Sequence, residues 1–160
     1  DVYKRQALTG HLVLSTLHTN DAPSSIARLL DIGIPAFLIS STISGIIAQR
    51  LLRTICQECK FEKVLTKEEM VYLGMQDKEY RVWEGKGCDE CRGTGYKGRT
   101  GIFEVLEFTD RLRAQITEQT DMTKIYEIAR ADGMVSLREL AIQKLLDGHT
   151  TFQEIVSVTG

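Results

Sequence analysis

Proline is almost missing from this sequence, with two in 160 residues, and glycine stops at 13. That excludes collagen-like repeats and proline-rich linkers. Neither sign of charge is in excess: 20 Lys and Arg face 22 Asp and Glu, a formal net charge of −2. A dedicated nucleic-acid binder usually carries a basic surplus, so that class is disfavoured and no nucleic-acid partner is expected. No initiator Met begins the chain, and no basic start leads into a short apolar run with a small-residue cleavage site. The longest uncharged stretch, Ile32 to Gln49, contains Pro35, Ser40, Ser41, Thr42, Ser44 and Gly45. It is too polar for hydrocarbon and reads as buried core. A phosphate loop is also lacking. Gly93-Thr94-Gly95-Tyr96-Lys97-Gly98-Arg99-Thr100 comes near the pattern but has Arg99 in place of the required lysine. A turn-rich knuckle precedes it and a strand-like run follows, where a phosphate loop needs a strand and then a helix.

What is present is an ordinary globular composition, 42% hydrophobic and 26% charged. That is enough apolar surface to offset ordering entropy. The pattern is α/β. His11 to Leu17 is short, apolar and bounded by Gly10 and Asn20-Asp21, which predicts a buried strand. Asp21 and Pro23 then open a helix from Ser24 to Leu30 that ends near Gly33. From Pro35, the residues Leu38, Ile39, Ile43, Ile46, Ile47 and Leu51 recur at threes and fours. They predict one long helix with Arg50 and Arg53 at its negative pole. Two readings of that arginine pair stay open: dipole compensation, or a reach toward a phosphate.

Beyond Cys56 the patterns are local. Thr66-Lys67-Glu68-Glu69 is a capping box for a short helix stopping at Gly74. Thr100 to Phe108 reads as a strand. Asp110 to Ile116 and Met122 to Arg130 read as helices. Ser136-x-x-Glu139 caps a helix through Leu146, and Thr151-x-x-Glu154 caps a last one. Gly133 and Gly148 stand where C-terminal caps belong.

Four cysteines form two C-x-x-C pairs, Cys56/Cys59 and Cys88/Cys91. Two such turns aim four thiolates at one point, the pattern of a closed structural zinc site. Two disulfides or a redox pair are the alternatives. His11 and His18 flank the expected strand at an odd separation, so a regular strand turns them to opposite faces. His18 falls at the strand's carboxyl end, where open α/β sheets bind ligands. A bland polar strand ending fits it equally. His149, in a Gly-His-Thr-Thr turn, reads as a surface residue.

The run Leu8-Thr9-Gly10-His11-Leu12-Val13-Leu14-Ser15-Thr16-Leu17-His18-Thr19-Asn20-Asp21-Ala22 closely resembles the histidine box of the secretion-superfamily ATPases, which serve type II secretion and type IV pilus assembly. The likeness continues through Gln49-Arg50-Leu51, the four cysteines, Gly95 to Glu104, and Gly133-Met134-x-Ser136-Leu137-Arg138. The cysteines set it apart from pilus retraction ATPases. The resemblance implies the C-terminal part of a RecA-like P-loop ATPase domain, with an inserted tetracysteine zinc module and a small helical C-terminal subdomain. It implies a homo-hexamer that works with ATP and Mg2+ on the cytoplasmic side of a bacterial inner membrane. Its partners there would be the platform and assembly proteins of the machine. In that family the phosphate loop and the Walker B segment lie upstream of the histidine box. The expectation is therefore a C-terminal portion that is inactive alone.

By the same resemblance, His18 and His11 are the catalytic candidates, with His18 near the γ-phosphate. Asn20 and Asp21 would fix the loop and cap the helix. Arg50 or Arg53 would bind nucleotide, and Cys56, Cys59, Cys88 and Cys91 would hold zinc. The expected segments are a non-native start at 1–6, a partial ATPase core at 7–55, the zinc module at 56–100, and a strand with the helical subdomain at 101–160. The competing reading is a stand-alone zinc ribbon for nucleic acid or protein, resting on Lys86, Arg92, Lys97 and Arg99 beside the knuckle.

Overall fold

The computed structural model describes residues 10–159. The expected non-native start at 1–6, and Ala7, Leu8 and Thr9 of the histidine box, lie outside the described residues. The fold is α/β and its contacts divide into two units. One runs to Ala48 and resumes over Glu104–Val135. The other takes Gln49–Phe103 and continues from Ser136. Both units are discontinuous along the chain, whereas the segments read from sequence are consecutive.

In the first unit, helix α1 (Ser24–Asp31) forms where expected. The Asp21 carboxylate accepts the Ser24 N–H at 2.7 Å, so an otherwise orphaned amide of the first turn is satisfied. Gly33, at φ +83°, turns the chain away. Helix α2 (Ala36–Thr42) follows and is far shorter than the sequence pattern suggests. Three consecutive hydroxyls explain the stop. Ser40 and Ser41 bond back to the Phe37 carbonyl and Thr42 to that of Leu38, contacts that bend and weaken a helix. Gly45 then opens strand β1 (Gly45–Ile55).

The expected long helix is therefore corrected, and Arg50 and Arg53 lie inside a strand, not at a helix pole. Ile43, Ile46, Ile47 and Leu51 satisfy the helical spacing. Burial along β1 instead alternates residue by residue over its first half, the signature of period two. The run is also rich in β-branched residues, which suit a pleated surface. Pairing with the distant β4 (Tyr96–Glu107) decides between the two, and these strands form a two-stranded sheet. β4 begins four residues before the strand read at Thr100 to Phe108 and ends one residue short of it, at Glu107.

The buried strand expected at His11–Leu17 is also corrected. This stretch belongs to no strand, and Leu12 and Leu14 are each 86% exposed. A strand needs a partner for its N–H and C=O groups. Among the described residues, the sheet order contains no strand paired with this segment. The first unit's core is made instead by Ala22 and Ile26, Ile39, Leu106, and Ile125 with Ala129. The last two lie on helix α5 (Met122–Ala131), entered through Asp121, whose carboxylate accepts the Thr123 N–H.

The second unit carries a second two-stranded sheet. Strands β2 (Lys60–Val64) and β3 (Arg81–Gly85) pair antiparallel, from Lys60↔Gly85 to Val64↔Arg81. Between them lies helix α3 (Lys67–Leu73), with the complete Thr66/Glu69 capping box and Gly74 in the left-handed conformation. Helix α4 (Asp110–Arg113), in the first unit, stops short of Ile116 because its end tightens into i→i+3 bonds from Gln115 and Ile116. Back in the second unit, helix α6 (Leu137–Leu146) has both halves of the Ser136/Glu139 box. Helix α7 (Phe152–Thr159) has only one half. Thr151 Oγ1 accepts the Glu154 N–H, but the Glu154 carboxylate turns to Arg53. Leu52, Ile55, Val82, Ala141, Leu145 and Ile155 are buried in this unit.

Candidate functional site

The clearest site is the cysteine cluster of the second unit. β1 ends at Ile55, directly before Cys56, and a single 3-10 turn, Gln57–Cys59, carries Cys59. A matching turn, Asp89–Cys91, carries the other pair. The β2/β3 register sets the two turns side by side, with Lys86 N–H donating to the Cys59 carbonyl at 3.1 Å. Glycine makes the approach possible. A Cβ on Gly85 would lie 2.2 Å from the Gly95 carbonyl oxygen.

All four sulfurs lie within 4.8 Å of one another, and no disulfide joins them. Cys56 and Cys88 are 3.8 Å apart, Cys59 and Cys91 3.9 Å, and Cys88 and Cys91 3.7 Å. A metal–sulfur bond of about 2.3 Å in a regular tetrahedron places sulfurs about 3.8 Å apart, whereas a disulfide needs about 2.05 Å. The cluster could hold one metal ion, and its spacing is that of a tetrahedral thiolate shell.

The surroundings favour thiolate at Cys91 and the neutral thiol at Cys59 and Cys88. Burial pushes the Cys91 thiol up, but the backbone N–H groups of Cys88 and Gly95 reach its sulfur at 3.1 and 3.2 Å. They outweigh burial and bring it down to about 6. Burial and its neighbours push the Cys59 thiol up to about 12. Four thiols this close cannot all ionise without a cation among them, so the pair reads as a shell that a divalent ion would bring down together.

The histidine segment belongs to the first unit. His11 and His18 are both exposed. The stretch that carries them leads into an ordered turn. Thr19 Oγ1 donates to the Asp21 carbonyl and shares a hydrogen bond with Ser25. The Asp21 carboxylate also accepts the Tyr126 hydroxyl at 2.9 Å, and the Ala22 N–H donates to Glu104 Oε1 at 2.7 Å.

Arg50 and Arg53 have different surroundings. Arg53 Nε and Nη2 each donate to Glu154 Oε2 at 2.6 Å, and the Arg53 N–H donates to Oε1 at 2.9 Å. Its guanidinium also lies 4.2 Å from the Tyr96 ring centre. Hydrogen bonds to Glu154 raise its pKa further. Arg50 is half-buried on β1. His149 is exposed in its turn. Gly93 to Thr100 forms the knuckle and the start of β4, with no helix after it.

Sequence reasoning missed the two buried carboxylates, Glu104 at 3% and Glu154 at 4% exposure. A signal existed for the first: Glu104 shares a strand face with Ile102 and Leu106, both buried.

Residues 1–157 match the family described as type II/IV secretion system protein. The type IV pilus assembly ATPase PilB of Thermus thermophilus is 45% identical over 156 residues, covering 96% of this chain and 18% of that protein. Type II secretion system protein E of Aeromonas hydrophila is 41% identical, covering 96% of the chain and 30% of its own length. Its counterpart in Pseudomonas aeruginosa is 41% identical, covering 99% and 32%. The chain thus spans less than a third of the length of each of these relatives, from 18% to 32%.

Proposed function

Because the chain belongs to the type II/IV secretion system protein family, we propose that it is the C-terminal portion of a ring-forming ATPase that drives assembly of a pilus or a secretion pseudopilus. The observation that carries this reading is the match over residues 1–157, which takes in the histidine box and all four cysteines. In this reading a RecA-like core, its phosphate loop and its acidic metal-binding strand are supplied by sequence upstream. The exposed His11–Leu17 segment becomes a sheet strand against that core. The intact protein forms a homo-hexamer at the cytoplasmic face of the inner membrane and engages the platform proteins there. No helix among the described residues is long and apolar enough to cross a membrane.

The roles follow from chemistry. His18 sits in an exposed stretch just ahead of an anchored turn. From there its imidazole donates a hydrogen bond to charge developing on the γ-phosphoryl group, or orients the attacking water. His11 is the second box histidine. Arg53 is committed to Glu154. For Arg50, the resemblance to the family's Gln49-Arg50-Leu51 segment alone supports a place on nucleotide phosphate. Cys56, Cys59, Cys88 and Cys91 hold zinc, which supplies folding energy and no bond-making step. A zinc-ribbon role on nucleic acid gains little, since Lys97 is already paired with Glu90 at 2.5 Å.

The test is ATP turnover by the intact protein, compared with the 160-residue chain alone. The expected result is Mg2+-dependent hydrolysis by the intact protein and none by the chain. An intact protein that does not hydrolyse ATP, or a chain that does so unaided, would refute the assignment.

A further inference from the structure

We propose that Tyr126 and Glu104 are positioning residues for the histidine-box turn, holding His18 in register with its substrate through Asp21 and Ala22. This rests on the reading above, in which His18 acts at the γ-phosphate.

The turn from His18 to Ala22 has no regular secondary structure of its own. It is held from two distant points of the chain. Glu104 lies on β4 and is 3% exposed, and its Oε1 accepts the Ala22 N–H at 2.7 Å. Ala22 is itself fully buried, so the backbone four residues after His18 is fixed. Tyr126 lies on α5, whose Ile125 and Ala129 are buried in the same core. Its hydroxyl donates to Asp21 Oδ1 at 2.9 Å and shares a 3.2 Å contact with Ser24 Oγ. The same Asp21 oxygen takes the Ser24 N–H at 2.7 Å. One carboxylate oxygen thereby joins the first turn of α1 to a packed helix, over 100 residues away in sequence.

Two features make this more than helix capping. Capping α1 needs Asp21 alone, and Tyr126 adds nothing to that bond count. A carboxylate on the buried face of β4 is costly to desolvate. Glu104 nonetheless stands there, with one oxygen on the single backbone amide that ends the turn. Both contacts restrain where His18 leaves the packed region. Catalysis is sensitive to that, because a misplacement of about 1 Å can cost on the order of 10²-fold in rate.

The experiment is steady-state ATP turnover by the intact protein. It uses Tyr126→Phe, Glu104→Gln, Glu104→Leu, His18→Ala, and Tyr126→Phe combined with His18→Ala. Thermal unfolding and metal content of each variant serve as controls. Phe keeps the volume of the Tyr ring and removes only the hydroxyl. Tyr126→Phe is expected to lower kcat about 5- to 20-fold with KM for ATP changed less than about twofold, since the contact matters in the transition state. Glu104→Gln, which keeps an acceptor oxygen for Ala22, should stay close to wild type, and Glu104→Leu should fall like Tyr126→Phe. In the His18→Ala background Tyr126→Phe should cost nothing more, because residues that act as a unit are non-additive. The inference is overturned if His18→Ala lowers kcat while Tyr126→Phe and Glu104→Leu leave it unchanged. It is also overturned if the Tyr126→Phe loss persists in full without His18, which would mark a purely structural role. If His18→Ala itself has no effect, the role given to His18 fails first, and that result is distinct from both.

Discussion

Replacing Arg53 by alanine should loosen the second unit by an amount the geometry allows to be worked out. Glu154 is 4% exposed and receives three N–H donors, all from Arg53: Nε, Nη2 and the backbone amide. Removing the side chain leaves the amide bond but strips both guanidinium donors from a buried carboxylate, along with the stack on Tyr96. Breaking a fully buried pair costs about 3–5 kcal/mol. Here the arginine side chain is 49% exposed, so solvent screens part of that, and about 2 kcal/mol is the expected loss. For a chain of this size that corresponds to a Tm lower by about 4–8 °C. The assay is equilibrium urea unfolding of the wild type, Arg53→Ala, Glu154→Leu and the double variant. The two single losses should be strongly non-additive, with a coupling of about 1–2 kcal/mol. In the intact protein, Arg53→Ala should leave KM for ATP unchanged. A loss below about 0.5 kcal/mol would show that the pair behaves as a surface contact. A selective rise in KM for ATP would return Arg53 to the nucleotide.

Metal analysis of purified protein should give about one zinc per chain, and Cys88→Ser should abolish it. Folded, zinc-free protein with two disulfides would contradict the spacing of the four sulfurs. Gly85→Ala should be among the most damaging small substitutions, because its Cβ would meet the Gly95 backbone at 2.2 Å and separate the two cysteine turns. Loss of bound zinc together with a lowered Tm would confirm this, and normal zinc content would refute it.

Elements defined by neighbouring residues were legible from sequence. The Thr66 and Ser136 boxes and the turns at Gly74, Gly133 and Gly148 are local bargains between a side chain and the backbone a few residues away. The convergence of the four cysteines was legible for a similar reason, since each C-x-x-C turn presents its two sulfurs by itself. What escaped depends on distant partners. Ile46, Ile47 and Leu51 fit a helix and a strand alike, and pairing with β4 decides for the strand. His11 to Leu17 has strand composition but no strand to pair with among the described residues. The strand alternation around Glu104 hints at its burial, but the partners of Glu104 and Glu154, Ala22 and Arg53, lie 82 and 101 positions away, beyond the reach of any local pattern.

The central claim is that the exposed histidine segment works on the γ-phosphate of ATP in an intact secretion or pilus ATPase. The most direct measurement is the turnover number of His18→Ala in that protein, with zinc content and Tm matched to wild type. Loss of one preorganised donor predicts a fall of about 10²-fold or more. Turnover equal to wild type would contradict the account.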